Sequence, residues 1–166
     1  MNIVKWWVDL SYEIHPDCRS HTGEKISLGW GLVASMSKRQ NINPRGSTEA
    51  ELIGEDDVLP VSLCSRYFIE AQRFKAEEEV MYQDNPSAML LKNNGRLSSG
   101  NQMNHIRFRF FLIKYRIDMG YLKVKYSLTG KMLADHFTKP FQGGAFWKFR
   151  AEIQGIPEDT PYTELG

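Results

Sequence analysis

The stretch from Asn2 to Ser11, N-I-V-K-W-W-V-D-L-S, constrains the fold more than any other part of the sequence. Its β-branched and aromatic residues favour a strand. Its apolar side chains crowd both faces of that strand instead of alternating with polar ones. Because such a pattern is typical of a strand covered on both sides, this stretch predicts a buried strand at the centre of a sheet.

A single carboxylate, Asp9, stands at the C-terminal end of this apolar run. A carboxylate beside a dry strand is costly unless it is paired or holds a metal ion. Aspartate also begins many turns, because its side chain bonds to the nearby backbone. Taken alone, the stretch favours the turn and leaves the metal site open.

The totals predict one globular domain. A chain of 166 residues is long enough for a proper hydrophobic core. The net charge of +1 argues against a strongly basic nucleic-acid coat protein, although a near-neutral total can combine an acidic pocket with a basic rim. Cys18 and Cys64 are too few for a disulfide framework, so both are expected to be free thiols.

No apolar run approaches the ~18 residues of a membrane span, and the N-terminal residues lack the pattern of a signal peptide. We therefore expect no membrane partner. The expected location is cytoplasmic, for a protein that starts at Met1 or for an expressed fragment of a longer one.

Further strands are predicted after polar or glycine-rich connections. The segments Glu24–Leu28 and Gly31–Ser37 fit a meander with the first strand. Glu79–Tyr82 is a short strand followed by a second strand-end carboxylate, Asp84. Tyr121–Leu128 alternates apolar and basic residues, which is typical of a strand with one wet face.

Helices are predicted between these strands. Ser47 or Thr48 is expected to cap a first helix that has acidic residues in its first turn. Pro60 is expected to open a second helix that ends near Arg73. That helix is expected to bury Leu63, Tyr67 and Phe68, and later helices are expected at Ser87–Lys92, at Met103–Asp118, from Leu133 and at Gly144–Ile153.

This order of elements predicts a mixed α/β sheet whose edge collects four acids. An antiparallel meander extended through helical crossovers places Asp9 and Asp84 at the ends of neighbouring strands. Glu51 then enters from the first helix and Asp135 from a late one. Four adjacent carboxylates repel one another and need divalent cations, and a donor set of oxygen alone favours magnesium or manganese. The acids Glu49, Glu55, Asp56 and Asp57 are expected to form a solvated face.

Five short blocks follow the first strand in a recognisable order between about Trp7 and Phe141. They are S-K-R-Q, S-T-E-A-E-L, Y-Q-D-N-P-S-A-M, H-I-R-F-R-F-F-L-I and L-A-D-H-F-T-K-P. In this order the chain resembles the ribonuclease H domain of copia-type LTR retrotransposon polyproteins. The resemblance implies a ribonuclease H-like fold with a central mixed five-stranded sheet flanked by helices. The domain is expected over residues 1–155, with a flexible tail over 156–166.

The resemblance also implies a catalytic and metal-binding tetrad of Asp9, Glu51, Asp84 and Asp135, which holds two Mg²⁺ or Mn²⁺ ions. By the family pattern, Asp9 contacts both ions, Asp135 holds the ion that carries the attacking water, and the other two acids hold the second ion. Glu49 remains an alternative to Glu51. The implied reaction is hydrolysis of the RNA strand of an RNA–DNA hybrid, which leaves a 5′ phosphate and a 3′ hydroxyl.

The partners implied are an RNA–DNA hybrid and an adjoining reverse transcriptase domain. The domain is expected to be monomeric in isolation and to work inside the cell, within retroelement particles. Recognition of such a hybrid relies on 2′-hydroxyls and helix shape, so little sequence preference is expected. The candidates for phosphate contact are Lys38, Arg39, Arg45, Ser47, Asn85 and Lys139, although basic residues in a loop are also commonly just solvated.

The sequence departs from the family pattern in one catalytic feature. Many ribonucleases H carry a histidine shortly before the last aspartate, but the segment Ser127–Leu133 has none. His105 and His136 are the nearest candidates. Two other functions therefore stay open: a non-catalytic, nucleic-acid-binding or partner-binding descendant of the fold, and a related nuclease or transposase. Retention of all four acids favours the ribonuclease.

Overall fold

The computed structural model describes residues 3–89 and 104–157, with only the backbone described for 104–110. Within these residues one sheet contains the strands β1 (Ile3–Ser11), β2 (His21–Ser27), β3 (Leu32–Arg39), β4 (Glu78–Gln83) and β5 (Lys123–Tyr126). The helices are α1 (Ser47–Ala71), α2 (Asn104–Asp118) and α3 (Gly143–Gln154), with the 3₁₀ helices η1 (Thr129–Lys131) and η2 (Leu133–Phe137). Residues 86–89 are also helical.

The strand order in the sheet is β3-β2-β1-β4-β5. The pairs β1–β2 and β2–β3 are antiparallel, as the predicted meander requires. The pairs β1–β4 and β4–β5 are parallel, and each connection runs through a helix. The predicted five-stranded mixed sheet is therefore confirmed, with β1 at its centre.

The core lies between the sheet and α1. Val4, Trp6 and Val8 alternate along β1 and are fully buried in one cluster with Val58 and Leu59 of α1. Each buried side chain of this size contributes about 1.5–3 kcal/mol through removal of apolar surface from water. The same packing fixes α1 across β1, so the helix presents its first turns to the C-terminal end of that strand.

The prediction of two helices separated at Pro60 is wrong, because α1 continues from Ser47 to Ala71 with Pro60 inside it. A proline in a helix interior costs about 3 kcal/mol, since it removes one hydrogen bond. Pro60 is exposed, whereas Val58 and Leu59 before it and Ser62 and Ile69 after it are buried, so packing on both sides of the proline offsets that cost. The N-cap residue is Gly46, which makes no side-chain cap, rather than Ser47 or Thr48.

The predicted burial of Tyr67 and Phe68 is also wrong. Their exposed fractions are 59% and 66%, whereas Leu63 packs partly buried against the core. In one continuous helix the buried face runs through Ser62 and Ile69, seven residues apart. Seven residues make about two turns, so Ser62 and Ile69 lie on the same face of the helix. Tyr67 and Phe68 lie on another face, which points toward solvent.

The connection after the meander is shorter than predicted. The predicted strand ended at Ser37 and left Lys38 and Arg39 in the loop that follows, but both residues belong to β3, which pairs with β2 through Arg39. The antiparallel partners His21 and Thr22 of β2 extend the ladder to that point. The basic side chains of Lys38 and Arg39 therefore lie on β3, an edge strand of the sheet.

The element that contains Asp135 is a five-residue 3₁₀ helix, η2, where the sequence predicted the start of a longer helix. It packs against β2 and β1. Gly23 of β2 makes this contact possible: a Cβ atom there would lie 2.8 Å from the Ala134 carbonyl oxygen and 2.9 Å from the Phe137 Cβ. This close contact between β2 and η2 holds η2, together with Asp135, against the C-terminal end of β1.

Several predictions fall outside the described residues. These are the end of the Ser87–Lys92 helix, the loop that follows it, and the tail from residue 158. Cys18 and Cys64 are free and exposed, which confirms the expectation of thiols. Over the described ranges, the helices are too short or too polar to cross a membrane.

Candidate active site

The parallel pairing of β1 and β4 brings two of the predicted acids to one edge. Trp7 pairs with Tyr82 in the last register position, and Asp9 and Asp84 follow two residues later on each chain segment. Because the strands run in the same direction, their C-terminal ends meet at the same edge of the sheet. Asp9 is buried and Asp84 is half-buried.

Asp135 joins these two from η2. One carboxylate oxygen from each of Asp9, Asp84 and Asp135 lies within 4.8 Å of the others. Asp9 is 3% exposed and Asp135 is 5% exposed, so two of the three carboxylates are almost removed from bulk water. We call this group the aspartate cluster. It places three of the four predicted tetrad residues together.

Residues on either side of η2 contact the aspartate cluster directly. The Lys139 Nζ atom lies 3.0 Å from Asp135 Oδ1 and 3.5 Å from Asp9 Oδ2. The Thr138 hydroxyl donates a hydrogen bond to Asp9, and the Thr129 hydroxyl donates one to Asp84 at 3.3 Å. Lys139 was predicted as a phosphate contact, and the structure places its ammonium against two acids of the predicted tetrad.

Among the described residues, the aspartate cluster carries more negative charge than its neighbours compensate. Burial, followed by the charge of Asp9, raises the pKa of Asp135 to about 6. The same two causes raise the pKa of Asp84. Burial would lower the pKa of Lys139, but its contacts with Asp135 and Asp9 raise it above the ordinary value. A nearby ammonium therefore does not compensate three carboxylates, and further positive charge would stabilise their ionised forms.

Glu51 lies behind the aspartate cluster, on the first turns of α1, and is outside the 4.8 Å group. It is 6% exposed, and its Oε2 accepts a hydrogen bond of 3.1 Å from Gln83 Nε2. Burial raises the pKa of Glu51 to about 8, with further increases from Glu55, Asp9 and Asp84. The charges of both strand-end aspartates thus act on Glu51, so this glutamate borders the cluster.

Two residues at this border were missed or misassigned from the sequence. Glu55 was expected on a solvated face, but it is fully buried and accepts a hydrogen bond of 2.8 Å from Gln83. Gln83 was not singled out at all, although it is fully buried between the two glutamates. The spacing of four residues between Glu51 and Glu55 was the available signal, because it places both on one face of a helix.

Glu49, the alternative to Glu51, has a different environment. It is half-buried, and its Oε2 accepts a hydrogen bond of 2.9 Å from the backbone N–H of Arg45. The donor Arg45 directly precedes the N-cap Gly46, so this contact ties the loop before α1 to the first turn of the helix. Glu49 therefore has a local role at the helix start.

The other predicted phosphate contacts are spread over several elements. Lys38 is exposed on β3, and Ser47 is exposed at the start of α1. Arg39 forms an ion pair of 3.2 Å with Asp17, and Arg45 is exposed beside α1. Asn85 accepts hydrogen bonds from the backbone N–H groups of residues 87 and 88 and so caps the helical turn that follows the cluster. A role in phosphate binding stays a prediction for each.

Of the two candidate catalytic histidines, the structure describes the side chain of His136 only. The side chain of His105 is outside the described residues. The ring of His136 stacks on Phe141 at a centroid distance of 6.0 Å and contacts Phe137 edge-on at 5.5 Å. Burial lowers its pKa. His136 therefore packs in an aromatic cluster, although it directly follows Asp135.

The chemistry of the donor set fits a divalent cation. The aspartate cluster and Glu51 offer carboxylate oxygens from β1, β4, η2 and α1. Hard oxygen donors of this kind match Mg²⁺ and Mn²⁺. The raised pKa values of Asp135 and Glu51 have the same origin as metal affinity, namely carboxylates held together in a partly dry site.

The chain is similar to part of a retrotransposon polyprotein. It is 28% identical over 138 residues to the retrovirus-related Pol polyprotein from transposon TNT 1-94 of Nicotiana tabacum. The match covers 82% of this chain and 10% of that polyprotein, so the chain corresponds to a small part of it. This homology confirms the resemblance to a copia-type polyprotein. A scan against models of known families finds no match.

Solved structures with the same fold include two ribonucleases H1 and a viral protease–reverse transcriptase. Ribonuclease H1 from Halobacterium salinarum superposes with a TM-score of 0.53 at 14% identity, covering 80% of this chain and 91% of that protein. LC11 ribonuclease H1 in complex with an RNA/DNA hybrid gives 0.56 at 12% identity, with coverage of 81% and 92%. The protease–reverse transcriptase of prototype foamy virus gives 0.51 at 12% identity, covering 82% of this chain and 20% of that one. These likenesses establish the ribonuclease H fold.

Proposed function

We propose that this chain is a ribonuclease H domain that hydrolyses the RNA strand of RNA–DNA hybrids with two divalent metal ions. The observation that carries the proposal is the aspartate cluster: three carboxylates from three separate elements within 4.8 Å, bordered by Glu51. On a ribonuclease H fold this arrangement lies at the C-terminal ends of the two central parallel strands. The homologous tobacco polyprotein and the hybrid-bound structural neighbour support the same function.

In the proposed mechanism, Asp9, Glu51, Asp84 and Asp135 hold Mg²⁺ or Mn²⁺. When bound, the two ions supply an activated water and stabilise the charge on the leaving 3′ oxygen. Asp9 is central because it contacts Thr138 and lies within reach of both other aspartates. The rigid strand β1 fixes its position, while η2 and the end of β4 bring the other donors to it.

Lys139 has two roles in this proposal. Without metal, its ammonium compensates part of the charge of Asp9 and Asp135. When divalent cations take over that compensation, a phosphate of the substrate is the natural partner for the released ammonium. Lys38, Arg39, Arg45, Ser47 and Asn85 remain the other candidates for contacts with the nucleic-acid backbone.

The biological setting is also proposed. The chain matches 10% of the tobacco Pol polyprotein, and the foamy virus neighbour contains a reverse transcriptase. We propose that this domain adjoins a reverse transcriptase and removes RNA from the hybrids made during reverse transcription, inside the cell and within retroelement particles. In isolation it is proposed to act as a monomer.

The test is cleavage of a labelled RNA–DNA hybrid by the purified chain. Single-stranded RNA, double-stranded RNA and duplex DNA serve as controls, each with Mg²⁺, with Mn²⁺ or with a chelator. The expected result is metal-dependent cutting of the RNA strand of the hybrid alone, with 5′-phosphate and 3′-hydroxyl ends. If the folded chain binds the hybrid in the presence of metal but does not cut it, the result would contradict the proposed ribonuclease activity. It would favour a non-catalytic domain that binds nucleic acid.

A further inference from the structure

The side chain of Gln83 connects two parts of the proposed metal site. Its Nε2 donates to Glu51 Oε2 at 3.1 Å and to Glu55 Oε1 at 2.8 Å. Its Oε1 accepts from the backbone N–H of Asp84 at 2.8 Å and from that of Asn85 at 3.2 Å. Gln83 is fully buried, so these four partners replace water completely.

We infer that Gln83 is a positioning residue that fixes Glu51 relative to Asp84 and thereby sets the affinity of the site for divalent cations. This inference rests on the proposed function, because it assigns a role within the same metal site. Glu51 comes from α1 and Asp84 from the end of β4. The Gln83 amide is the direct hydrogen-bonded link between these two elements at the site.

The geometry explains why one amide suits this position. A glutamine amide has two hydrogens and an oxygen with two lone pairs. The two hydrogens reach carboxylates one helical turn apart, and the oxygen reaches two consecutive N–H groups of the turn that carries Asp84. A shift of either element would leave a buried polar group unpaired, which is unfavourable.

The charge of the residue matters as much as its shape. A lysine or arginine at position 83 would neutralise Glu51 and compete with a metal ion for it. A neutral amide orients the carboxylate and leaves its charge available. Groups that orient metal ligands in this way commonly change metal affinity by 10–100-fold when they are removed.

Gln40 provides a matched control. It is also buried, at 1% exposed, and also links α1 to the sheet. Its Nε2 donates to the Thr22 hydroxyl at 2.9 Å and to the Ala50 carbonyl oxygen at 2.8 Å. It contacts neither Glu51 nor Asp84 in these bonds. Loss of Gln40 therefore reports the general cost of removing a buried bridging amide.

The experiment measures Mn²⁺ binding by calorimetry for the wild-type chain and for Gln83→Met and Gln40→Met. Methionine keeps the approximate length of glutamine and removes its hydrogen bonds. We expect Gln83→Met to weaken Mn²⁺ binding by 10–100-fold, and Gln40→Met to stay within about twofold of wild type while its Tm falls comparably. Equal affinity for wild type and Gln83→Met, or equal losses for both variants, would overturn the inference.

A second measurement uses the wild-type chain, in case Gln83→Met does not fold. The side-chain amide resonance of Gln83 is followed by NMR during a Mg²⁺ titration, with the Gln40 amide as the internal control. The Gln83 signal is expected to shift and to saturate together with the backbone amide of Asp84, while Gln40 stays in place. A stationary Gln83 signal during saturation would contradict the assigned role.

Cleavage is measured separately so that the two proposals can fail separately. A wild-type chain that binds Mn²⁺ but leaves the hybrid intact contradicts the proposed enzyme, and the Gln83 comparison still decides the positioning role. A folded wild-type chain that binds no Mn²⁺ overturns the positioning role regardless of cleavage.

Discussion

The two ends of β4 each hold a buried carboxylate centre, and they differ in how the protein compensates the charge. Near the start of the strand, Glu79 is fully buried; it accepts a hydrogen bond of 2.7 Å from Ser62 and one of 3.0 Å from Arg116, and Arg66 lies 3.8 Å away. At the other end lie three aspartates, and the ammonium of Lys139 forms ion pairs with two of them, Asp135 and Asp9.

This difference separates a structural acid from a candidate functional one. Two guanidinium groups and a hydroxyl enclose Glu79, so its negative charge is satisfied within the fold. Within the aspartate cluster, burial and then the charge of Asp9 raise the pKa values of Asp84 and Asp135. Burial of an acid is therefore a poor guide to function, whereas burial with too little positive charge indicates a site for an external cation.

The largest effect is expected from Asp84→Asn, which removes a carboxylate from the cluster. Loss of about 4 kcal/mol of transition-state stabilisation corresponds to roughly a thousandfold slower hybrid cleavage. The Tm of the metal-free protein should stay the same or rise, because repulsion with Asp9 is relieved. Cleavage rates and thermal melts check both parts, and normal activity in Asp84→Asn would rule out the assignment of this acid.

Glu51→Gln and Glu49→Gln together test which of the two glutamates belongs to the proposed metal site. We expect the first to slow cleavage by about a hundredfold, since it removes a proposed ligand. The second should alter the rate by less than about threefold and cost about 0.5–1 kcal/mol of stability, because Glu49 caps the helix start. Initial rates at saturating Mg²⁺ distinguish them, and a greater loss in Glu49→Gln would mean that the proposed tetrad is misplaced by two residues.

Glu79→Gln tests the structural side of the comparison. The substitution removes the counter-charge of the partly buried Arg116, while Arg66 keeps its ion pair of 3.0 Å with Glu70, so we expect about 3 kcal/mol of destabilisation in chemical denaturation. The cleavage rate of the folded fraction and its Mn²⁺ affinity should match those of wild type. A loss of metal affinity with unchanged stability would reverse the roles of the two centres.

Gly23→Ala should disturb the cluster by moving η2. The added methyl group would overlap the Ala134 carbonyl oxygen, so the helix must shift. Overpacking of this kind costs about 1–3 kcal/mol, and cleavage should slow because Asp135 moves with η2. Gly29→Ala is the matched control, since a Cβ there meets nothing within 4 Å. Similar melts for the two variants would show that the tight approach is unimportant.

The smallest effect concerns pH. Folding raises the pKa of Asp135 to about 6 and that of Glu51 to about 8. The stability linked to each raised pKa is present below the unfolded value and is lost as pH rises through the folded value. The gain in Tm on adding Mg²⁺ should therefore grow between about pH 5 and pH 8, as the acids ionise and the metal relieves their repulsion.

The difference in Tm between samples with and without Mg²⁺ removes the contribution of titratable groups that lie away from the aspartate cluster. Glu24, whose pKa burial raises to about 7, loses stability in the same pH range whether or not metal is present. Thermal melts at each pH provide the measurement. A gain in Tm that is constant between pH 5 and pH 8 would contradict the titration of the cluster.

Much of the fold follows from local patterns in the sequence. The apolar run around Trp6 and Trp7 predicts the central strand, and the periodicity of the later segments predicts the remaining strands. The edge at which Asp9 and Asp84 meet follows from strand direction alone. These features are predictable because alternation and element order are properties of the chain itself.

The features that were missed depend on packing between distant elements. Pro60 looks like a helix start, but burial on both sides of it keeps α1 continuous. Gln83 and Glu55 look like surface residues until α1 lies across the end of β4. Lys139 looks like a free cation, and its contact with Asp9 appears only when η2 packs on the sheet. The local signals for these contacts are limited to the four-residue spacings of Glu51 with Glu55 and of Asp135 with Lys139.

The most direct test of the central claim is to locate Mn²⁺ by anomalous diffraction from crystals of the chain soaked in the metal. We expect two manganese sites among Asp9, Glu51, Asp84 and Asp135, about 3.5–4 Å apart, and no site beside Glu79. Crystals that show no manganese at the aspartate cluster, with the metal present at saturating concentration, would contradict it.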